Sequence, residues 1–351
     1  MERRTALSLA PAVAALGLWA GLSAPAISAT YELKMAHFVT PQHSISMWLE
    51  RWAEELARKS NGEIKVTTFA NAQMGPPPKY YDLARGGRAD ITWFSQGFTP
   101  GRFPLTEISN LPFLIGSAEI GAKVLNDAEL REKYLDPEHE GVKLLMLMTH
   151  QPGNINTAKK AIRRVEDMKG MRLRFSSQTI RDYIRVLGGT PRGLPPTEIV
   201  EQMQKGTLDG AFIDYGGAGI AFRMGPVTDY VTEMYSYVSA FGIAMNPKTF
   251  SSMPANLQKL VVETMQGREK EVGHEWDKLD AIGKDIMTKA GTQPIVLKPA
   301  ELARFKEAGE KVTEQHLAEM EKKGLPARAV YAKMKELAEK HAATSKNFWV
   351  R

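Results

Sequence analysis

Segments with strand-like and helix-like patterns alternate along most of this 351-residue chain. TYELKMAHFV, which begins at residue 30, alternates apolar and polar residues as a half-buried strand does, and residues 45–60 place apolar side chains at helical spacing. Strand and helix patterns follow each other again over residues 63–94 and over residues 141–214. Such alternation predicts an α/β fold in which helices cover both faces of the sheets.

Residues 256–290 show helical spacing of apolar residues without a proline, and we predict a single helix here. At about 1.5 Å per residue, this helix would be about 50 Å long, enough to run along two lobes and connect them. The alternative is two helices with a break near Gly267 or Gly273. Trp276 lies on the apolar face of the stretch and is predicted to be a core residue.

The first 29 residues predict a secretory signal peptide. They carry two arginines near the start, then an uncharged apolar run over residues 6–20, then small residues, with cleavage expected between residues 26 and 30. A membrane anchor is the alternative, but the apolar run is short and a glycine interrupts it. No later segment is apolar enough to span a bilayer, so the protein is expected in the periplasm.

Composition excludes several classes of site. The chain has no cysteine, which removes disulfides, thiolate metal sites and cysteine nucleophiles. His37 and His43 are too far apart for one helical turn and no HExxH pattern occurs, so we expect no metal. YGGAGIA lacks the order of a phosphate-binding loop, and no cofactor is predicted. The net charge is +6, but basic residues are interleaved with acidic ones, which favours a small anionic ligand over nucleic acid.

Two arginines stand in the predicted strand MRLRFS. Residues two apart share a face of a strand, so Arg172 and Arg174 point the same way. Arg174 is nearer the carboxyl end, where ligands of α/β folds bind and where Ser176 begins the loop into the next helix. A guanidinium at that place can hold a carboxylate with two parallel hydrogen bonds. Spacing alone also allows both arginines to be solvated or paired with acids.

Five segments of the chain occur in a specific order: LKMAHFVTPQHS, SNGEIKVTTFANAQMG, ARGGRADITWFSQGFTPGRFPLTEISNLPF, VEDMKGMRLRFSS and LGGTPRGLPPTEIVEQMQKGTLDGAFIDY. In this order they resemble the DctP-like solute-binding proteins of tripartite ATP-independent periplasmic (TRAP) transporters, and in particular the branch that handles monocarboxylates, aromatic acids among them. The resemblance covers nearly the whole chain after residue 29. It implies a two-lobed, type II periplasmic binding fold with a long helix spanning both lobes.

The resemblance also implies a division of the chain and a partner. Residues 30–151 with 240–279 would form one lobe, and residues 152–239 with 280–351 the other. The partner would be a TRAP membrane permease of one small and one large subunit, driven by an ion gradient rather than by ATP.

Residue by residue, the resemblance assigns the binding of a substrate carboxylate to Arg174 and makes Arg172 an ordinary surface position. Asn154 stands near the place of a second arginine that many members carry, which implies a monocarboxylate with hydroxyl or keto groups rather than a diacid. Asp214 and Tyr215 stand where many members have a Glu-Asn pair, and both are expected to face the cleft.

The remaining predicted ligand contacts are aromatic or lie at strand ends: His37, Phe38, Trp93, Phe94 and Ser176. The rings, together with Tyr215, would form walls suited to an aromatic or branched acid. Structural alternatives stay open. Trp93, Phe94 and Tyr215 could be core residues, Asp214 a helix cap and His37 a structural histidine.

We therefore predict an exported carrier without catalysis. A small organic acid binds between two open lobes, Arg174 fixes its carboxylate, and the permease recognises the closed form. One alternative is a periplasmic enzyme that acts on organic acids with His37 and Asp214 as acid and base. Another is an ABC-type binding protein or a sensor, which the fold alone does not distinguish from the carrier.

Overall fold

The computed structural model describes residues 30–350, so the predicted signal peptide lies outside the described residues. The strands are β1 (Tyr31–Ala36), β2 (Ile64–Phe69), β3 (Ile91–Ser95), β4 (Lys143–Thr149), β5 (Gly153–Thr157), β6 (Arg172–Phe175), β7 (Thr190–Gly193), β8 (Gly210–Ile213), β9 (Tyr230–Tyr237), β10 (Ala240–Met245) and β11 (Gln293–Val296). The helices are α1 (Ser44–Lys59), α2 (Tyr80–Arg85), α3 (Ala118–Leu125), α4 (Ala128–Leu130), α5 (Asp136–Glu138), α6 (Gln178–Val186), α7 (Ile199–Gln204), α8 (Pro247–Ser252), α9 (Ala255–Glu263), α10 (Glu269–Lys289), α11 (Pro299–Lys322) and α12 (Ala327–Ala342). Among these helices, none combines the length and the apolar character that crossing a bilayer requires.

The strands form two sheets, each at the centre of one lobe. The first sheet has the order β2-β1-β3-β10-β4 and the second the order β11-β9-β5-β8-β6-β7. In the first, β1 is parallel to β2 and β3, whereas β10 runs antiparallel to β3 and β4. The chain passes between the sheets at residues 150–152, again at 238–239, and a third time between β10 and β11, through helices α8, α9 and α10. The predicted two-lobed α/β architecture is confirmed.

Helix α1 shows how the sequence pattern produces the first lobe. Its apolar residues at helical spacing are buried against the sheet, and those named by the pattern are fully buried: Ile45, Trp48, Leu49, Trp52 and Leu56. His43 caps the N-terminus, since its Nδ1 accepts a hydrogen bond from the Ile45 amide at 3.3 Å. The chain leaves the helix through Asn61 and Gly62, which both have positive φ.

The prediction of one helix over residues 256–290 is wrong. Helix α9 ends at Glu263 and α10 begins at Glu269, and between them Gly267 has a φ of +76°, a left-handed conformation that ends helices. The break near Gly267 was the alternative. Helix α10 keeps 21 residues, about 32 Å at 1.5 Å per residue.

Helix α10 nevertheless contacts both lobes. It packs against α1 and α3 of the first lobe and against the π-helical turn at residues 217–221 of the second. Two of its glycines allow close approach of backbone. A Cβ at Gly273 would overlap the backbone of Glu119, and a Cβ at Gly283 would overlap the carbonyl of Tyr215. The shorter helix therefore still connects the lobes.

The C-terminal helices are divided between the lobes. Helix α11 packs against α6 of the second lobe, whereas α12 packs against α3 of the first. The apolar side chains of α12 join the core that surrounds the first sheet. The sequence-based division placed all of residues 280–351 with the second lobe, and α12 differs from it because its apolar face is buried on α3.

Candidate functional site

A cavity lies between the two sheets, and residues of both lobes line it. It encloses about 500 Å³ of space not filled by atoms, part of it open to solvent. Its walls are mostly apolar, with a small number of polar side chains, as is usual for sites that bind small molecules. Five of the residues predicted from the sequence line it: Phe38, Trp93, Arg174, Ser176 and Asp214.

Arg174 is buried in this cavity with 3% of its surface exposed. Its Nε donates to the carbonyl of Leu194 and its Nη1 to the carbonyl of Phe212, both at 3.3 Å. Burial lowers the pKa of Arg174 to about 10, and the nearby Tyr237 and Asp214 act in the opposite direction, so the guanidinium is charged at neutral pH. Within the described residues no carboxylate lies within 4.0 Å of it.

The Arg174 guanidinium has five N–H groups, of which two are donated to these carbonyls. The second N–H of Nη1 and both N–H groups of Nη2 have no hydrogen-bond acceptor in the described part of the chain. A carboxylate binds a guanidinium through two parallel N–H groups, and the pair on Nη1 and Nη2 is one such edge. Arg174 therefore keeps N–H groups that can donate to an anion in the cavity.

Arg172 has a different environment although it lies only two residues away. Its Nε donates to Asp209 Oδ2 at 2.9 Å and its Nη2 to Asp209 Oδ1 at 2.6 Å. Its side chain is 36% exposed. The chain thus satisfies the charge of Arg172 with its own carboxylate and leaves that of Arg174 without one.

Asp214 follows β8 and has 5% of its surface exposed. Its Oδ1 accepts hydrogen bonds from Gln151 Nε2 and from the Gly217 amide, each at 2.8 Å. Asp214 therefore caps the turn that follows, as the structural alternative held, and it also lines the cavity. Among the described residues, no donor bonds to its Oδ2, and the nearest cationic or imidazole nitrogen is His150 Nδ1 at 3.8 Å.

Four aromatic rings form a cluster at one side of the cavity. Ring centroids are 4.6 Å apart for Phe38 and Trp93, 4.8 Å for Trp93 and Phe241, and 5.5 Å for Phe241 and Trp276. The centroids of Trp93 and Trp276 are also 6.0 Å apart, so Trp93, Phe241 and Trp276 contact one another mutually, and all four rings line the cavity. The buried indole N–H groups of Trp93 and Trp276 have no acceptor among the described residues.

Four other predicted contacts lie away from the cavity lining. His37 is fully buried with its Nε2 3.1 Å from Ser46 Oγ, and burial lowers its pKa to about 4. Phe94 packs against Tyr81 and Phe103 in the core of the first lobe. These two residues have the structural role that was their alternative.

Tyr215 and Asn154 also have partners within the protein. The Tyr215 hydroxyl donates to Glu233 Oε1 at 3.1 Å. Asn154 Oδ1 accepts from the amides of Met234 and Tyr235, each at 2.9 Å, where the pairing of β5 with β9 is irregular. The neutral Asn154 therefore gives no geometric support to a preference for monocarboxylates.

Several lining residues were missed by the sequence reasoning, among them His43, His150, Tyr237, Phe241 and Trp276. Phe241 and Tyr237 lie beside the passages between the sheets, and only the tertiary arrangement brings them to the cavity. Trp276 was predicted to be core, and it is buried, but one part of it reaches the cavity. A signal for His43 existed, since it precedes a helix in the loop after the first strand.

His150 connects the passages between the sheets at residues 150–152 and 238–239. Its Nε2 accepts from the Ser239 amide at 3.0 Å, and its Nδ1 lies against the carbonyl of Gln151. These contacts require a neutral imidazole with its proton on Nδ1, and burial lowers the pKa of His150 accordingly. Ser176 is held nearby, with its Oγ 3.0 Å from Ser239 Oγ.

Comparison with known proteins agrees with the two-lobed fold. A structure of a TRAP solute-binding protein from Rhodoferax ferrireducens T118, in complex with copurified benzoate, is 25% identical with a TM-score of 0.85 and covers 90% of this chain and 100% of that one. A marine metagenome TRAP solute-binding protein specific for aromatic acid ligands, co-crystallized with 3-hydroxybenzoate, is 28% identical with a TM-score of 0.85 and covers 89% and 99%.

A curated relative, a solute-binding protein of Verminephrobacter eiseniae, is 25% identical over 263 residues, which are 73% of this chain and 76% of that protein. The sequence profile described as bacterial extracellular solute-binding protein, family 7, matches residues 35–320, well over half of the chain. The chain therefore belongs to the bacterial extracellular solute-binding proteins of family 7.

Proposed function

We propose that this protein captures a small aromatic monocarboxylate outside the cytoplasm and delivers it to a TRAP permease, without catalysis. The observation that carries the proposal is Arg174, a buried guanidinium in the cavity between the lobes with no carboxylate partner among the described residues. A buried charge without a directly bonded counterion is costly, and a ligand carboxylate would supply one.

The carboxylate of the ligand would bind the free Nη1 and Nη2 edge of Arg174. A hydrogen bond to a charged group contributes about 1.5–3 kcal/mol, and a bidentate pair adds geometric selectivity for a planar anion. The carbonyls of Leu194 and Phe212 already fix the orientation of the guanidinium, so little side-chain entropy is lost on binding.

An aromatic acid suits the rest of the cavity. Aromatic rings pack against another ring in offset-stacked or edge-to-face arrangements. Phe38, Trp93, Phe241 and Trp276 line the cavity and are available for such contact. Benzoate and 3-hydroxybenzoate, the ligands of the two structural relatives, have one ring and one carboxylate.

Closure of the lobes would be driven by contacts made only in the closed form. Arg174 lies on the second lobe, while Phe38 and Trp93 lie on the first, so one ligand between them contacts both. The lobes also approach each other directly, because a Cβ at Gly97 would lie 2.5 Å from the carbonyl of Ser176. A ligand that binds the closed form more tightly shifts the population toward it.

Export follows from residues 1–29, whose pattern is that of a secretory signal peptide, and the proposed location is the periplasm.

The enzyme alternative needs His37 and Asp214 in one site. His37 lies in the core of the first lobe beside Ser46, outside the cavity that Asp214 lines, and nothing in the geometry favours that alternative.

A thermal-shift screen of organic acids tests the proposal. A ligand present at 100 times its Kd adds about 2.7 kcal/mol to the free energy of unfolding. We expect benzoate or a substituted benzoate or phenylacetate to raise the Tm, and methyl benzoate, which lacks the charge, to leave it unchanged. Failure of every aromatic acid, or an equal effect of the methyl ester, would contradict the proposed function.

A further inference from the structure

Asp214 places a second charge beside the proposed carboxylate site. Strands β6 and β8 are parallel neighbours, with Arg174 opposite Ala211. Arg174 Nη1 donates to the carbonyl of Phe212, two residues before Asp214. Both side chains line the same cavity at the carboxyl ends of their strands. A carboxylate held by Arg174 therefore lies close to the carboxylate of Asp214.

One oxygen of Asp214 is committed to the protein and the other is not. Oδ1 accepts from Gln151 and from the Gly217 amide, which fixes the side chain. Oδ2 accepts no hydrogen bond from any described residue. His150 cannot serve it, because Nδ1 is 3.8 Å away and directed at the carbonyl of Gln151, while Nε2 accepts from Ser239.

A cap alone would not require this charge. Capping the turn at Gly217 uses Oδ1, and an asparagine supplies the same oxygen. Asp214 lines the cavity, and its Oδ2 has no donor among the described residues; a ligand that brings a hydrogen-bond donor to Oδ2 would satisfy it.

We propose that Asp214 determines which aromatic acids bind, by accepting a hydrogen bond from a hydroxyl on the carbon next to the ligand carboxylate and by repelling a second carboxylate at that carbon. The inference rests on the proposed function and goes further, because it names the substrate class as aromatic 2-hydroxy monocarboxylates. It also supplies the physical reason for excluding diacids that Asn154, placed away from the cavity, does not.

Three probes test the inference because they differ only at that carbon. Phenylacetate carries hydrogen there, mandelate a hydroxyl, and phenylmalonate a second carboxylate. For the unaltered protein at pH 7.5, calorimetry is expected to give a Kd for mandelate at least about tenfold below that for phenylacetate, as a bond to a charged acceptor implies. The Kd for phenylmalonate is expected to be at least about tenfold above that for phenylacetate, because its second carboxylate meets the like charge of Asp214 in a low dielectric.

Asp214→Asn keeps the capping oxygen and removes the charge. In this variant we expect the preference for mandelate over phenylacetate to be smaller. We expect the affinity for phenylmalonate to increase at least about tenfold relative to that for phenylacetate. Asp209→Asn is the matched control, since Asp209 pairs with Arg172 outside the cavity, and it should leave all three ratios unchanged. If Asp214→Asn fails to fold, the absence of both differences in the unaltered protein still overturns the inference.

The outcomes separate the two proposals. If phenylacetate binds and the Kd values for mandelate and phenylmalonate are no different from its own, the role of Asp214 is overturned while the proposed function stands. If none of the three acids binds and benzoate also fails, the proposed function itself is contradicted. The inference is supported if the Kd for mandelate is below that for phenylacetate, the Kd for phenylmalonate is above it, and both differences are smaller in Asp214→Asn.

Discussion

Replacing Arg174 with methionine should abolish most of the affinity for an aromatic acid. Methionine retains much of the length of the side chain but has no charge and no donor. The change removes two charge-assisted hydrogen bonds from the free Nη1 and Nη2 edge, each contributing about 1.5–3 kcal/mol. It also leaves the ligand carboxylate near Asp214 without a counterion. We expect a loss of at least about 3 kcal/mol, which is a Kd more than about a hundredfold higher.

Arg172→Met is the matched control for this experiment. Arg172 lies on the same strand and the same face, two residues earlier, but its guanidinium is bound by Asp209 and does not line the cavity. Affinity of this control for benzoate should stay that of the unaltered protein. Isothermal calorimetry with benzoate measures both variants, and circular dichroism confirms that each is folded. A Kd for Arg174→Met within about threefold of the unaltered protein would refute the reasoning.

Two further predictions concern stability. Gly283→Ala should lower the free energy of unfolding by about 1–3 kcal/mol in urea titrations, because the added Cβ meets the carbonyl of Tyr215. Alanine is otherwise the better helix former, so an increase in stability would contradict the close packing of α10. Glu107→Gln should change the pH dependence of stability. Burial, and next the charge of Glu138, raise the pKa of Glu107 to about 8. Because this exceeds the unfolded value, the stability that Glu107 contributes is present at low pH and is lost as the pH rises from about 4.5 to about 8. The variant should therefore gain stability relative to the unaltered protein at pH 8 compared with pH 5, and parallel curves would contradict this origin.

The elements that depend on local patterning could be predicted from the sequence. The spacing of Trp48 and Trp52 fixed one buried face for α1, and Asn61 with Gly62 marked its end. The single helix over residues 256–290 was wrong because periodicity continues on both sides of Gly267, and a left-handed glycine changes the direction of the chain without changing the pattern.

The site was predictable where strand position decides it. Arg174 lies near the carboxyl end of β6 and Asp214 directly follows β8, its parallel neighbour, and strand ends meet at one edge of a sheet. Phe241 was not predictable in this way, because its place in the first sheet depends on β10 returning between β3 and β4 from the second lobe. Asn154 was predicted to contact the ligand from its position in the sequence alone. Its side chain instead accepts hydrogen bonds from backbone amides of β9, where the pairing of β5 with β9 is irregular.

A crystal structure of the protein with benzoate tests the central claim most directly, because that claim is a contact between two groups. The carboxylate of the ligand is predicted to lie within hydrogen-bond distance of both Nη1 and Nη2 of Arg174, with its ring against Trp93 and Phe241. A benzoate whose carboxylate is bound by other groups, with the Nη1 and Nη2 edge of Arg174 left to solvent, would contradict the account.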